Sequence, residues 1–133
     1  MRPLLRRPLA VLLLLLPLAA CRAPRPGEAS RPGLVHSVYF TLREDSPAAR
    51  ARLVADCRTL AGIDGVELLE VGVRDESQTR EVNDQEFDVA LTIGFRDAAA
   101  LARYVDHPVH QELLAKNGAS FAKVRVFDAD VRR

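Results

Sequence analysis

The sequence predicts an α+β domain: a four-stranded antiparallel sheet carrying two helices on one face, in the chain order β-α-β-β-α-β. Three observations predict it. Leu34 to Leu42 and Phe87 to Phe95 alternate apolar and polar residues with period two. Two other stretches, around Leu53 to Leu60 and Leu101 to Val105, repeat apolar residues at helical spacing. Between them lie Pro, Gly and Asp turn signals, with one long polar connection that carries no helical pattern.

In the first strand His36, Val38, Phe40 and Leu42 share one face, and Ser37, Tyr39 and Thr41 share the other, more mixed one. Asp45-Ser46-Pro47 then starts a helix, with Ser46 as N-cap and Pro47 at the first helical position. Its buried stripe is Leu53, Cys57 and Leu60, flanked by Val54 and Ala61, and Gly62 with Asp64-Gly65 ends it. Val66 to Val73 is the second strand. Arg74 to Glu86 holds a single apolar residue, Val82, and reads as an exposed loop, mobile or functional at that length. The third strand sets Phe87, Val89, Leu91, Ile93 and Phe95 on one face against Asp88, Ala90, Thr92, Gly94 and Arg96. Asp97 caps the second helix, which breaks at His107-Pro108 because proline disfavours a helical residue before it. The helix resumes through Leu113 and Leu114 to Asn117-Gly118, and Phe121 to Ala129 is the closing strand. This order is the split βαβ arrangement of ferredoxin-like folds.

Residues 1–20 precede the domain as an expected leader. Arg2, Arg6 and Arg7 lead into an apolar run from Leu9 to Leu18, too short to span a bilayer comfortably. Leu18-Ala19-Ala20-Cys21 follows, and resembles the lipobox of bacterial lipoproteins. That resemblance implies a cleaved signal peptide and lipidation of Cys21, with the mature protein held outside the cytoplasm in the bacterial envelope. Arg22 after the cysteine is not an aspartate retention signal, which favours the outer membrane. Residues 21–33, with three prolines and two glycines, form a semi-extended tether, and residues 34–131 form the domain.

The precursor carries a net charge of +1, and removing the three leader arginines turns it to about −2. Such a balance gives no electrostatic footprint for nucleic acid. With Cys21 lipidated, Cys57 has no partner for a bridge, and its helical spacing with Leu53 and Leu60 makes it a packed thiol.

Val35-His36-Ser37-Val38-Tyr39-Phe40, Gly94-Phe95-Arg96-Asp97 and above all Tyr104-Val105-Asp106-His107-Pro108-Val109-His110 resemble the Dabb domain, the stress-responsive dimeric α/β-barrel family. The resemblance spans about Leu34 to Val131 and implies a homodimer whose two sheets close a barrel. The family includes stress proteins of unclear activity and a polyketide cyclase, olivetolic acid cyclase. Carried over, His110 matches the cyclase's general base, Tyr104 its substrate-orienting tyrosine, and His36 the strand-one histidine of the same cavity. His36, Tyr104, His107 and His110 are thus the candidate ligand-binding residues, with Tyr104 and His110 catalytic if the protein is an enzyme. The chemistry is sound, since imidazole titrates near neutrality and a phenol can hydrogen-bond an enolate oxygen.

Three readings stand: a non-catalytic module binding a small apolar metabolite, a cyclase-type lyase and a ferredoxin-like monooxygenase. The last ranks below the other two, because its usual aromatic and polar pocket residues are not recognisable in this sequence. Tyr104 as a core aromatic, with His107 and His110 serving backbone groups opened by Pro108, is the plain packing alternative. On the stretch where the cyclase has aromatic side chains, this chain carries Arg52 and Asp56. The sequence assigns no metal and no cofactor.

Overall fold

The computed structural model describes residues 31–132. The expected leader, Cys21 and the tether up to residue 30 lie outside the described residues. Strand β1 (Leu34–Leu42) is followed by helix α1 (Pro47–Arg58), a 3-10 turn (Thr59–Gly62), β2 (Val66–Val73) and β3 (Val89–Phe95). Helices α2 (Ala98–Val105) and α3 (Pro108–Asn117), a second 3-10 turn (Gly118–Ser120) and β4 (Phe121–Asp130) complete the domain. The strands order β2-β3-β1-β4, every pair antiparallel, and helices cover one face. No helix of the described residues is long and apolar enough to cross a membrane.

Alternation in β1 becomes a strict burial pattern: Leu34, His36, Val38, Phe40 and Leu42 turn inward beneath the helices. The side chain of Ser46 accepts from the Ala49 amide at 3.1 Å, and Pro47 opens α1 where its missing N–H costs nothing. A cap of this kind contributes about 1 kcal/mol. Leu53, Cys57 and Leu60 are buried against the sheet, each of the two leucines worth roughly 1.5–3 kcal/mol. Gly65 turns the chain into β2 at φ 93°, where a side chain is strained, and a Cβ there would lie 2.6 Å from the Cβ of Ala100.

The third strand begins two residues later than the alternation implies. Phe87 packs edge-on against Tyr39 at 5.1 Å, on the helix-free face instead of the core. Asp88 is buried, not solvent-facing. Its carboxylate accepts from the Leu42 amide at 2.8 Å and lies 3.4 Å from the Arg74 guanidinium. Arg74 also donates to the carbonyls of Gln85 and Phe87. The long loop is therefore tied at both ends. A buried carboxylate hub of this kind overrides period two locally, because leaving the charge unpaired costs several kcal/mol.

Asp97 accepts from the Ala100 amide at 2.7 Å, capping α2. The helix stops at Val105, and extended His107 (φ −68°, ψ 136°) leads to Pro108 as the first residue of α3. The second helix is therefore two pieces. Strand β4 pairs only with β1 and forms one edge. Its Val124, Val126 and Asp128 stand opposite Phe40, Val38 and His36, so they share the helix-side face. Val124 and Val126 remain 44% and 49% exposed because no helix covers that edge.

Candidate ligand-binding cleft

That uncovered edge opens into a cleft of about 340 Å³ between sheet and helices. Val38, Phe40 and Leu91 form its floor, Leu113 and Leu114 the α3 wall, and Val124 and Val126 the edge. Against this apolar lining stand three polar side chains: His36 from β1, Tyr104 from α2 and His110 from α3. The Tyr104 and His110 rings lie 4.5 Å apart, and the His36 ring lies 6.0 Å from Tyr104. Helix α2 delivers Tyr104 one turn before the break, and α3 delivers His110 one turn after it. The kink is what brings the two rings together, their planes tilted by 37°.

Both cleft histidines are oriented through Nδ1. His110 Nδ1 lies 2.9 Å from the Val105 carbonyl oxygen at the end of α2, which also accepts from the Gln111 side-chain amide at 2.6 Å. A carbonyl only accepts, so Nδ1 carries the proton and Nε2 of the neutral ring is the free acceptor. His36 Nδ1 lies 2.6 Å from an Asp128 carboxylate oxygen, which fixes the same tautomer when the ring is neutral. Tyr104 is 2% exposed, and its hydroxyl makes no hydrogen bond among the described residues. Burial pushes its phenol well above the ordinary value. It therefore stays a neutral donor. With both rings neutral, the set offers one O–H donor and two ring acceptors in an apolar recess.

His107 is placed elsewhere. It does not line the cleft, and its Nδ1 accepts from the Val109 amide at 3.2 Å, capping α3. Asp128 is the residue sequence reasoning missed. Its place two positions beyond Val126 on an alternating strand was a signal, but which β1 residue it faces depends on register. Among the described residues, no group of three or more His, Cys, Asp or Glu is arranged to hold a metal ion.

The helix-free face bears a second concavity, about 510 Å³, built around Tyr39, Phe87 and Phe127. Tyr39 lies edge-on to Phe87 at 5.1 Å and to Phe127 at 5.9 Å. The Arg125 guanidinium sits 5.8 Å from the Tyr39 ring centre and pairs with Asp84. Phe127 is 56% exposed.

Residues 34–131 match the family model described as the stress responsive A/B barrel domain. Among solved structures, the chain is similar to a Dabb family protein with a ferredoxin-like fold from Mesorhizobium loti. The two are 26% identical, with 75% of this chain and 97% of that one covered and a TM-score of 0.61. A dimeric ferredoxin-like protein of unknown function from Thermobifida fusca is 17% identical, covering 76% of this chain and 92% of its own, with a TM-score of 0.62. A hydroxynitrile lyase from Passiflora edulis is also 17% identical, covering 77% and 96%, with a TM-score of 0.63. At such identities the likeness to the last two is one of fold. No curated protein matches the chain.

Proposed function

Because the chain belongs to the stress-responsive A/B barrel (Dabb) family, we propose that it is a membrane-anchored, homodimeric binding module of the bacterial envelope. Its ligand is a small apolar metabolite carrying one or two hydrogen-bonding groups, taken up in the cleft between sheet and helices. The cleft carries this reading: an apolar lining with Tyr104, His36 and His110 as the polar contacts, and a buried phenol left without a protein partner. Ligand sites combine a largely apolar recess with a few convergent polar groups. Cys21, in its lipobox-like context, is the anchor. A single acyl chain binds membranes only marginally, whereas the several chains of a lipidated cysteine hold stably.

The homodimer draws support from the helix-free face, where Tyr39, Phe87 and an exposed Phe127 form an aromatic patch. The Thermobifida fusca protein of the same fold is described as dimeric.

Native mass spectrometry of the full chain, purified from its own membranes, tests both parts. Acyl mass on Cys21 and a retained apolar compound are expected, with the compound lost in Tyr104→Phe. A chain that carries no lipid, or a cleft that is empty in every preparation, would overturn the corresponding part.

The second reading is proton-transfer catalysis of the cyclase or lyase type. The closeness of the Tyr104 and His110 rings, 4.5 Å between centres, favours it. Nε2 of His110 would take a proton from an activated carbon, and the Tyr104 hydroxyl would donate to the oxygen on which charge develops. Under this reading His110→Ala loses turnover by about 10²-fold or more while remaining folded. Undiminished activity in that variant removes it.

A further inference from the structure

At the far end of the domain from the point where the tether joins β1, a separate pocket of about 470 Å³ lies between α1, α3 and the end of β1. Leu42, Ala49, Leu53 and Ala119 give it an apolar side, and Arg43 and Arg52 stand on its polar side. The geometry points to a second ligand site here, for a small organic di- or tricarboxylate held by Arg43 and Arg52.

Arg43 and Arg52 are the arginines on this lining, and neither has a carboxylate partner among the described residues. Arg50, Arg74, Arg96 and Arg125 are each paired with carboxylates. The guanidinium groups of Arg43 and Arg52 make no hydrogen bond or ion pair among the described residues, and both residues line one concavity. Lys116 also lines it, but its charge is spent on Asp56 at 2.7 Å, and Asn117 donates to the same carboxylate at 3.1 Å. Those bonds hold the Asp56 carboxyl below the usual range, so the pair stays internally neutral. Glu44 is the one uncompensated carboxylate on the lining. The pocket therefore keeps a net positive charge from two planar forks, each shaped to take a carboxylate through two parallel N–H bonds.

Phosphate suits the site less well. The helix start beside it offers few free amides, since Pro47 has no N–H and the Ser46 side chain engages that of Ala49. The apolar side calls for a carbon skeleton, which an inorganic anion lacks.

Isothermal titration of the full chain with citrate, at constant ionic strength in chloride, tests the site. Saturable binding is expected with a dissociation constant below about 1 mM, and inorganic phosphate should bind about tenfold more weakly. Arg43→Gln and Arg52→Gln should each weaken citrate binding about tenfold. Both side chains are exposed, so the fold should persist, and either variant alone suffices. Glu44→Gln should tighten it about twofold by removing the opposing charge. Tyr104→Phe should leave it unchanged, separating this site from the cleft. Absence of saturable binding, phosphate binding as tight as citrate, or affinity untouched in both arginine variants overturns the assignment.

Discussion

Cys57 is fully buried on the inner face of α1, and burial, with the Asp56 charge adding to it, pushes its thiol up to about 12. The thiolate is the reactive species, so this cysteine should be inert in the folded protein. In the full chain carrying Cys21→Ser, a thiol reagent at pH 8 should label no cysteine until denaturant is added, and then one. The same shift makes stability depend on pH. The neutral thiol is favoured in the folded state, so its contribution is complete below the ordinary thiol value near 9 and declines as pH rises from there towards 12. The urea midpoint should therefore fall more steeply between about pH 9 and pH 11 in the parent than in Cys57→Ala. Equal slopes would show that the thiol is accessible. Helical spacing with Leu53 and Leu60 was enough to place this residue inside. Nothing comparable marked Asp88, whose burial depends on the Leu42 amide and Arg74 arriving from two other parts of the chain.

The break between α2 and α3 is the element on which the cleft depends. Pro108 makes it legible in the sequence, and His107 completes it by capping α3 through Nδ1. A residue that looked like part of a histidine pair for a ligand thus serves the backbone. Replacing it with alanine should cost about 1 kcal/mol of stability, and asparagine should recover most of that loss. Chemical denaturation of the three chains provides the check. Retention of the cleft's compound in His107→Ala is part of the same expectation, and its loss would place His107 in the binding set after all. The 74–88 connection shows the opposite balance. Its polarity marked it as a loop, yet Arg74 holds it to Gln85, Phe87 and Asp88, and Phe87 joins the helix-free face. Alternation carried Phe87 into the core on paper because it counts positions along one strand and ignores what pulls on the strand's end.

At the scale of the whole molecule, the proposed homodimer rests on the helix-free face. Tyr39, Phe127 and Phe87 cluster there beside Arg125, with Phe127 56% exposed. An aromatic cluster of this kind, packed against a second copy, supplies anchor contacts that typically cost 2 kcal/mol or more to remove, by the order of magnitude seen at interface hot spots. Light scattering at micromolar concentration should give the mass of two chains, and Phe127→Lys should give one, with unchanged circular dichroism. Single folded chains from the unaltered protein would remove the homodimer and leave the cleft standing, since every cleft residue described comes from one chain.

Element order, the faces of β1, the caps at Ser46 and Asp97 and the break at Pro108 were all determined by the sequence alone. Each rests on residues within a turn or a strand's length of one another, where periodicity and capping chemistry operate. Tertiary structure alone decided that His36 meets Asp128 and that β4 leaves its helix-side edge uncovered. It likewise settled that Arg43 and Arg52 share a pocket. Those outcomes depend on strand register and on how far each helix reaches across the sheet. Both are set by packing between segments distant in sequence, which no local pattern encodes.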